Sequence, residues 1–163
     1  AQYLNRYLPL GMQEEREWFE QAHKRSSADI VFAIVALDGS RAGRIIGSMG
    51  LHAIEWRNRI ATTGTVIGEK EYWGSGYGTD AKMYLLDYAF NTLNLRKICS
   101  NVIAFNERSL RYSLHCGYKE EGRRRLQIFR NGSYHDEILL AVFKEDWKPI
   151  WEIYQETGHV RKC

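Results

Sequence analysis

The side chains of this 163-residue chain that could move protons fall into two sets. His52, Glu55, Glu69, His135 and Asp136 are carboxylates and imidazoles at the expected ends of strands, while Ser109, Tyr112, Ser113 and Cys116 share one expected helix. A carboxylate or imidazole can take a proton from an incoming nucleophile, directly or through water, and a hydroxyl can return one to a leaving group. Taken singly, each of the first set reads as an exposed strand-end residue, and an isolated Cys116 without a base partner reads as a small buried hydrophobe. Between the sets lies "EKEYWGSGYGTDA", Glu69 to Ala81, with Gly74, Gly76 and Gly78 on alternate positions ahead of a helical pattern. Glycines let consecutive backbone amides approach one anion at a positive helix N-terminus. A nucleotide P-loop would need a lysine before Thr79, and none is there. A dinucleotide fingerprint would need a third glycine where Thr79 stands and an acidic residue about twenty positions on, where the chain reads "LRKI". What remains is a pyrophosphate-sized cradle or an empty strand-to-helix turn.

The elements that must position these residues can be read from spacing. "MQEEREWFEQAHKR" puts Met12, Trp18, Phe19 and Ala22 near one helical face, acidic early and basic late, as the helix dipole prefers. "DIVFAIVAL" and "RIIGSMGLHAI" form an antiparallel hairpin with Asp38-Gly39 at its turn. Arg59 to Glu69 is a third strand that runs into the glycine loop, and "TDAKMYLLDYAFNTLNL" is a helix with Thr79 as N-cap and Met83, Leu86, Phe90 and Leu93 on one face. "KICSNVIAF" is a strand, and "NERSLRYSLHCGY" a short helix from Asn106 to Gly117. "RRRLQIFRNGSYHDEILLAVF" is a hairpin about Asn131-Gly132, and "KEDWKPIWEIYQ" a last helix with Pro149 near its start or kinking it. The strand-helix-strand unit from Thr62 to Phe105 should hold a parallel pairing with a right-handed crossover.

Composition narrows the class. Apolar residues make up 44% and charged residues 26%, an ordinary globular mixture, and the length suits one domain with one core. The net charge of +3 leaves no global nucleic-acid signature, and the one dense basic run is Arg123 to Arg125. Cys99, Cys116 and Cys163 are odd in number and lack metal-ligand spacing, which predicts neither a disulfide framework nor a zinc site and favours a reducing cytoplasm. No signal-peptide layout and no membrane-length apolar run are present.

The run Trp73-Gly74-Ser75-Gly76-Tyr77-Gly78-Thr79 at a strand-to-helix junction resembles the acetyl-CoA loop, Q/R-x-x-G-x-G/A, of the GCN5-related N-acetyltransferase superfamily. Followed by "LNLRKICSNVIAFNERSLRYSLHCGYKEEGRRR" and "NGSYHDEILLAVFKEDW", it looks like the RimJ/RimL branch of ribosomal-protein N-terminal acetyltransferases, over roughly Pro9 to Trp147. The resemblance implies a single α/β domain over 1–163: a mixed, mostly antiparallel sheet, a central parallel β-α-β acetyl-CoA cleft, and helices on both faces. Family members usually open with another strand and helix, and that segment is expected to be missing here.

For the site, the resemblance implies a pyrophosphate on the amides of Ser75, Gly76, Gly78 and Thr79, within a loop completed by Trp73, Gly74 and Tyr77. Pantetheine would pair with the backbone of Thr65, Val66 and Ile67, one amide polarising the thioester oxygen as an oxyanion hole does. Asn106 would lie beside the pantetheine, a role compatible with capping its helix. The implied reaction is direct attack of a primary amine on acetyl-CoA, without a metal and without a covalent enzyme intermediate. Many relatives carry an acidic residue around Thr62 and Thr63, where this chain has none, which leaves Glu69 as first and Asp136 as second choice of base. The superfamily's tyrosine seven residues after the asparagine is here Ser113. Tyr112 is adjacent and, one helical step of about 100° away, faces another direction; because RimL-like relatives often use a serine in this helix, the resemblance implies Ser109 or Ser113 as the proton source for the thiolate and Tyr112 as the packing residue. A protein N-terminus is the expected acceptor, with a small amine (polyamine, amino sugar or antibiotic) second and a non-catalytic acyl-CoA-binding module third. No nucleic-acid or membrane partner is expected, and a homodimer is left open.

Overall fold

A computed structural model describes residues 28–37 and 42–160, together with Met12, Gln13, Arg16 and Glu17, which are helical. The rest of the first expected helix, including Trp18, Phe19 and Ala22, lies outside the described residues, as do the Asp38-Gly39 turn and Cys163. The described elements are strands β1 (Ile30–Val35), β2 (Ile45–Glu55) and β3 (Ile60–Ile67), helix α1 (Tyr77–Asp87), strand β4 (Lys97–Ile103), helix α2 (Glu107–His115), strands β5 (Lys119–Arg130) and β6 (Ser133–Phe143), and helix α3 (Lys144–Thr157). A one-turn 3₁₀ segment, Lys70–Tyr72, precedes the glycine loop, and α1 ends in a widened turn over Tyr88–Thr92, where the Leu93 N–H reaches the Tyr88 carbonyl.

The six strands form one sheet in the order β1-β2-β3-β4-β6-β5. All neighbours are antiparallel except β3 and β4. The hairpin between β5 and β6 turns at Asn131 (φ 53°) and Gly132 (φ 80°); two successive left-handed residues match the twist of the flanking strands, which explains the Asn-Gly pair. β5 starts at Lys119, ahead of the basic run, and its register against β6 shifts at Gly122 and between Arg124 and Ile128.

Apolar residues from both sides of the sheet close the core. Leu51 of β2, Ile98 of β4 and Ile138, Leu140 and Val142 of β6 are buried together with Met83, Leu86 and Phe90 from α1 and its extension. Trp147 of α3 lies 5.2 Å from the Phe90 ring and stacks on Trp151. α3 runs through Pro149 without ending. α2 stops where Gly117 takes φ 95°, and a Cβ there would sit 2.8 Å from Ile150 of α3, so both the turn and the packing of α3 demand glycine.

One feature of the sheet makes a site. β3 and β4 pair over three residue pairs only, Ile60↔Lys97, Ala61↔Ile98 and Thr62↔Cys99, and then diverge. The closed end is tied by the Arg59 guanidinium, which donates to the Asn94 carbonyl and side chain at 2.6 and 2.7 Å, and by the Arg96 N–H on the Arg59 carbonyl.

Candidate active site

Beyond Thr62 the two parallel strands open into a fork whose gap continues into a cleft of about 1360 Å³. Its walls are β3, the glycine loop, the first turns of α1, the end of β4, one face of α2, and Tyr154 to Val160 after and within α3. The Gly68 N–H donates to the Ile46 carbonyl of β2 at 3.0 Å. Alternation along a strand therefore turns the backbone of Gly64 and Val66 toward β2 and that of Thr65 and Ile67 toward the open side. Two contacts agree. The Ile67 carbonyl accepts the Trp73 indole N–H at 2.9 Å, and the Val66 carbonyl lies so close to Gly47 of β2 that a Cβ there would overlap it. Of the three residues expected to meet pantetheine through their backbone, Thr65 and Ile67 face the gap and Val66 is engaged by β2.

Two of the three loop glycines have a clear backbone reason. Gly74 and Gly76 hold φ of 80° and 93°, with open space where a Cβ would be; the left-handed region, not crowding, selects them. A Cβ on Gly78 would make ordinary packing contacts with Ile67 at 3.4 Å and Tyr112 at 3.7 Å, so neither φ nor crowding from the protein itself requires glycine there. Helix α1 starts at Tyr77 with Gly76 as its N-cap, three residues before the expected cap Thr79, because only a left-handed residue turns the chain from the loop into the helix axis here. The first intrahelical bond is Asp80 N–H to the Gly76 carbonyl, so the amides of Tyr77, Gly78 and Thr79 have no partner within the helix. These residues and Ser75 line the cleft, and a helix N-terminus favours negative charge.

Charge supports that use. Lys82, Arg108, Arg111, His115 and His159 line the cleft, and the Arg108 guanidinium lies 3.8 Å over the Trp73 ring. Asp80 is the one carboxylate among the described lining residues, and its oxygen accepts the Tyr154 hydroxyl. Burial, then that carboxylate, pushes the Tyr154 phenol up, so it stays a donor. A cationic gap beside a helix N-terminus suits a polyanion.

Asn106 caps α2 by accepting the Ser109 N–H at 3.2 Å and also lines the cleft. Ser109, Tyr112 and Ser113 all line it too, Ser113 nearly fully buried. Tyr112 is more than packing: its hydroxyl lies 3.2 Å from the Thr65 Oγ1. At the closed end of the fork, Thr63 Oγ1 sits 3.0 Å from the Tyr118 hydroxyl and accepts from Lys82 Nζ at 3.0 Å. Cys116 is buried beside them, its thiol pushed up to about 12 by burial with Lys82 opposing, which leaves it protonated and a poor nucleophile.

The proposed bases stand elsewhere. Glu69 lies past the end of β3, paired with Arg44 at 2.6 Å, four residues beyond Thr65, or about 13 Å along an extended strand. Asp136 accepts the Leu126 N–H at 2.9 Å on the β5–β6 hairpin. His52 meets Asp29 at 3.0 Å, Glu55 accepts from Asn58, and His135 faces the Phe105 ring. None of the five is among the residues lining the cleft. Lys82 and Arg108 line the cleft and Tyr118 packs behind it on Thr63; motif reading singled out none of the three. For Lys82 a signal existed, since it stands three, four and seven residues before the buried Leu85, Leu86 and Ala89, a spacing that places a lysine on the apolar face.

Fold and cleft define a class of CoA-dependent acyltransferase, and the comparisons agree. Residues 1–119 match the family model described as an acetyltransferase (GNAT) domain, and the chain belongs to that family. It is 28% identical over 162 residues to "Putative ribosomal N-acetyltransferase YdaF" of Bacillus subtilis, covering 91% of this chain and 88% of that protein. Against the spermidine N(1)-acetyltransferase of Escherichia coli K12 it is 31% identical over 114 residues, 70% of this chain and 59% of the enzyme. The crystal structure of spermidine N-acetyltransferase from Vibrio cholerae in complex with CoA and spermine superposes with a TM-score of 0.77 at 26% identity, over 90% of this chain and 83% of that one. The protein is therefore a GNAT N-acetyltransferase that uses acetyl-CoA and acts on an amine. The residues of the cleft are compatible with that cosubstrate: β3 has an open edge beyond Thr62, and two left-handed glycines lead into the N-terminus of α1.

Proposed function

We propose that this chain acetylates the α-amino group of a protein or peptide N-terminus by direct attack on acetyl-CoA, as a RimJ/RimL-like enzyme. The observation that carries this reading is the cleft's lack of a carboxylate poised as base. Among the described lining residues only Asp80 is acidic, and Tyr154 occupies it. An α-amino group, with a pKa of about 8, presents a useful neutral fraction near pH 7, whereas a lysine-type amine near 10.4 needs a strong base. The neutral amine attacks the thioester carbon, the oxygen charge meets a β3 amide that faces the gap, and the thiolate departs toward the hydroxyls of Tyr112 and Ser113. Glu69 would act as base only through water and only after leaving Arg44.

A second reading, a polyamine as acceptor, is favoured by the likeness to the spermidine N-acetyltransferase structure. CoA release measured with a free-N-terminus peptide whose lysines are blocked, with the same peptide N-terminally blocked but carrying free lysines, and with spermidine separates the two. The free α-amine should give kcat/KM about tenfold or more above the others. Spermidine turned over faster than any α-amine would move the assignment to small amines.

A further inference from the structure

Lys82 of α1 is 1% exposed and lies in the cleft wall, yet no carboxylate pairs with it among the described residues. Its ammonium donates to Thr63 Oγ1 at 3.0 Å and otherwise faces two rings, Tyr112 at 5.2 Å and Tyr118 at 5.3 Å. Burying an ammonium without a counter-ion is strongly unfavourable, and a methionine would fill the same length at no such cost. The location gives the lysine a purpose. Thr63 is the first residue of β3 beyond the last parallel pair, and two residues on is Thr65, whose backbone faces the gap and whose hydroxyl meets Tyr112. The anion-binding amides at the head of α1 occupy the other end of the same gap, so a donor held there by its pyrophosphate presents its far end to Lys82.

We propose that the Lys82 ammonium is the counter-charge for the negative charge that collects on the thioester oxygen and then on the coenzyme A sulfur at the closed end of the fork. The inference rests on acetyl transfer from acetyl-CoA, not on the identity of the acceptor. In the step, the amine lone pair forms the C–N bond and the C–S bond breaks with its pair on sulfur. The extra proton on nitrogen leaves to water, and Lys82 keeps its own protons throughout. Removing fixed positive charge from a developing anion is costly because water is excluded and nothing else can reorganise to replace it.

The groups facing Lys82 are Thr63 from β3, Tyr112 from α2, and Cys116 and Tyr118 between α2 and β5. Burial raises both tyrosines and Cys116, so these stay neutral, while burial lowers Lys82 from 10.5 to about 8. The ammonium is thus present at neutral pH and is lost just above it. Cys99, within reach of Thr63 through its carbonyl, is also raised by burial.

The test uses coenzyme A itself. The bound thiol is titrated by thiolate ultraviolet absorbance in the wild type, Lys82→Met and Thr63→Val, alongside CoA affinity and kcat against pH. Lys82→Met should bind CoA within about threefold, raise the pKa of the bound thiol by about one unit or more, and lower kcat on the order of 10²-fold. The wild type should lose kcat above about pH 8 as Lys82 gives up its proton, and that fall should be absent from the variant. Thr63→Val, which removes the ammonium's hydrogen-bond acceptor, should move the thiol the same way by less, and it decides the matter if Lys82→Met does not fold. Identical thiol titrations in wild type and variants would overturn the proposal, as would an unchanged kcat. A lowered thiol pKa in the wild type with no turnover on peptides or spermidine would leave Lys82 in place and remove the acceptor reading instead.

Discussion

At the open end of the cleft, Gly74 and Gly76 hold left-handed backbone and the first amides of α1 lie without helical partners, all within a few consecutive residues. At the closed end, Thr63, Lys82, Tyr112, Cys116 and Tyr118 arrive from β3, α1, α2 and the turn before β5. In the proposed reading the first region binds through main-chain groups that nearly any side chain would leave intact, provided glycine stands where φ is positive. The second works through side chains, so single substitutions there should change chemistry while leaving the donor bound. Binding and catalysis are thereby separable along one gap.

Four substitutions probe that separation, in descending order of expected effect. Gly76→Val forces a β-branched residue to φ 93° and should weaken CoA binding on the order of 10³-fold, through backbone strain and loss of amide aim, with the fold retained by circular dichroism. Retained affinity by titration calorimetry would show that the loop amides do not hold the donor. Lys82→Met should stabilise the free protein at pH 7. The folded-state value of about 8 lies below the ordinary 10.5, so between those values the unfolded chain binds more protons and wild-type stability rises with pH. The variant's advantage, as much as ~3 kcal/mol, is therefore full below about pH 8 and disappears as pH rises toward 10.5. Urea unfolding at pH 7 and pH 10 measures it, and a variant less stable than wild type at pH 7 would give Lys82 a structural role.

Tyr118→Phe removes a buried hydroxyl from Thr63, which keeps Lys82 as donor and the Cys99 carbonyl as acceptor. The expected loss is about 1 kcal/mol of stability, with CoA affinity unchanged. Glu69→Gln should be smallest. The Arg44 pair is half-exposed, and kcat should stay within about twofold. A tenfold loss of kcat at unchanged CoA affinity would instead make Glu69 the base, and the self-deprotonating α-amine would no longer be required.

The contrast between the two ends also explains what could be read in advance. Asn131-Gly132, Gly117 and the alternating loop glycines announce turns because a positive φ excludes most other residues, and that constraint acts within one or two positions. Thr79 as cap was misplaced for the same kind of reason: a side-chain cap was expected where a left-handed glycine does the turning. Helix α1's apolar face was legible, but its lysine was passed over among Met83, Leu86 and Phe90 because spacing shows which face is buried and not what that face meets. Glu69 and Asp136 had the right chemistry, and nothing local could reveal that Arg44 and the Leu126 amide already hold them.

The sequence by itself determined the order of elements from the first hairpin onward, the glycine loop at a strand-to-helix junction and the family. Each of these depends on residue type at short spacing. Only the tertiary structure decided where β3 and β4 part, which backbone groups face the gap, and that Thr63, Lys82, Tyr112 and Tyr118 form one cluster. Those facts depend on register and on the meeting of four separate elements, so the chemistry of the closed end appears only once the chain is packed.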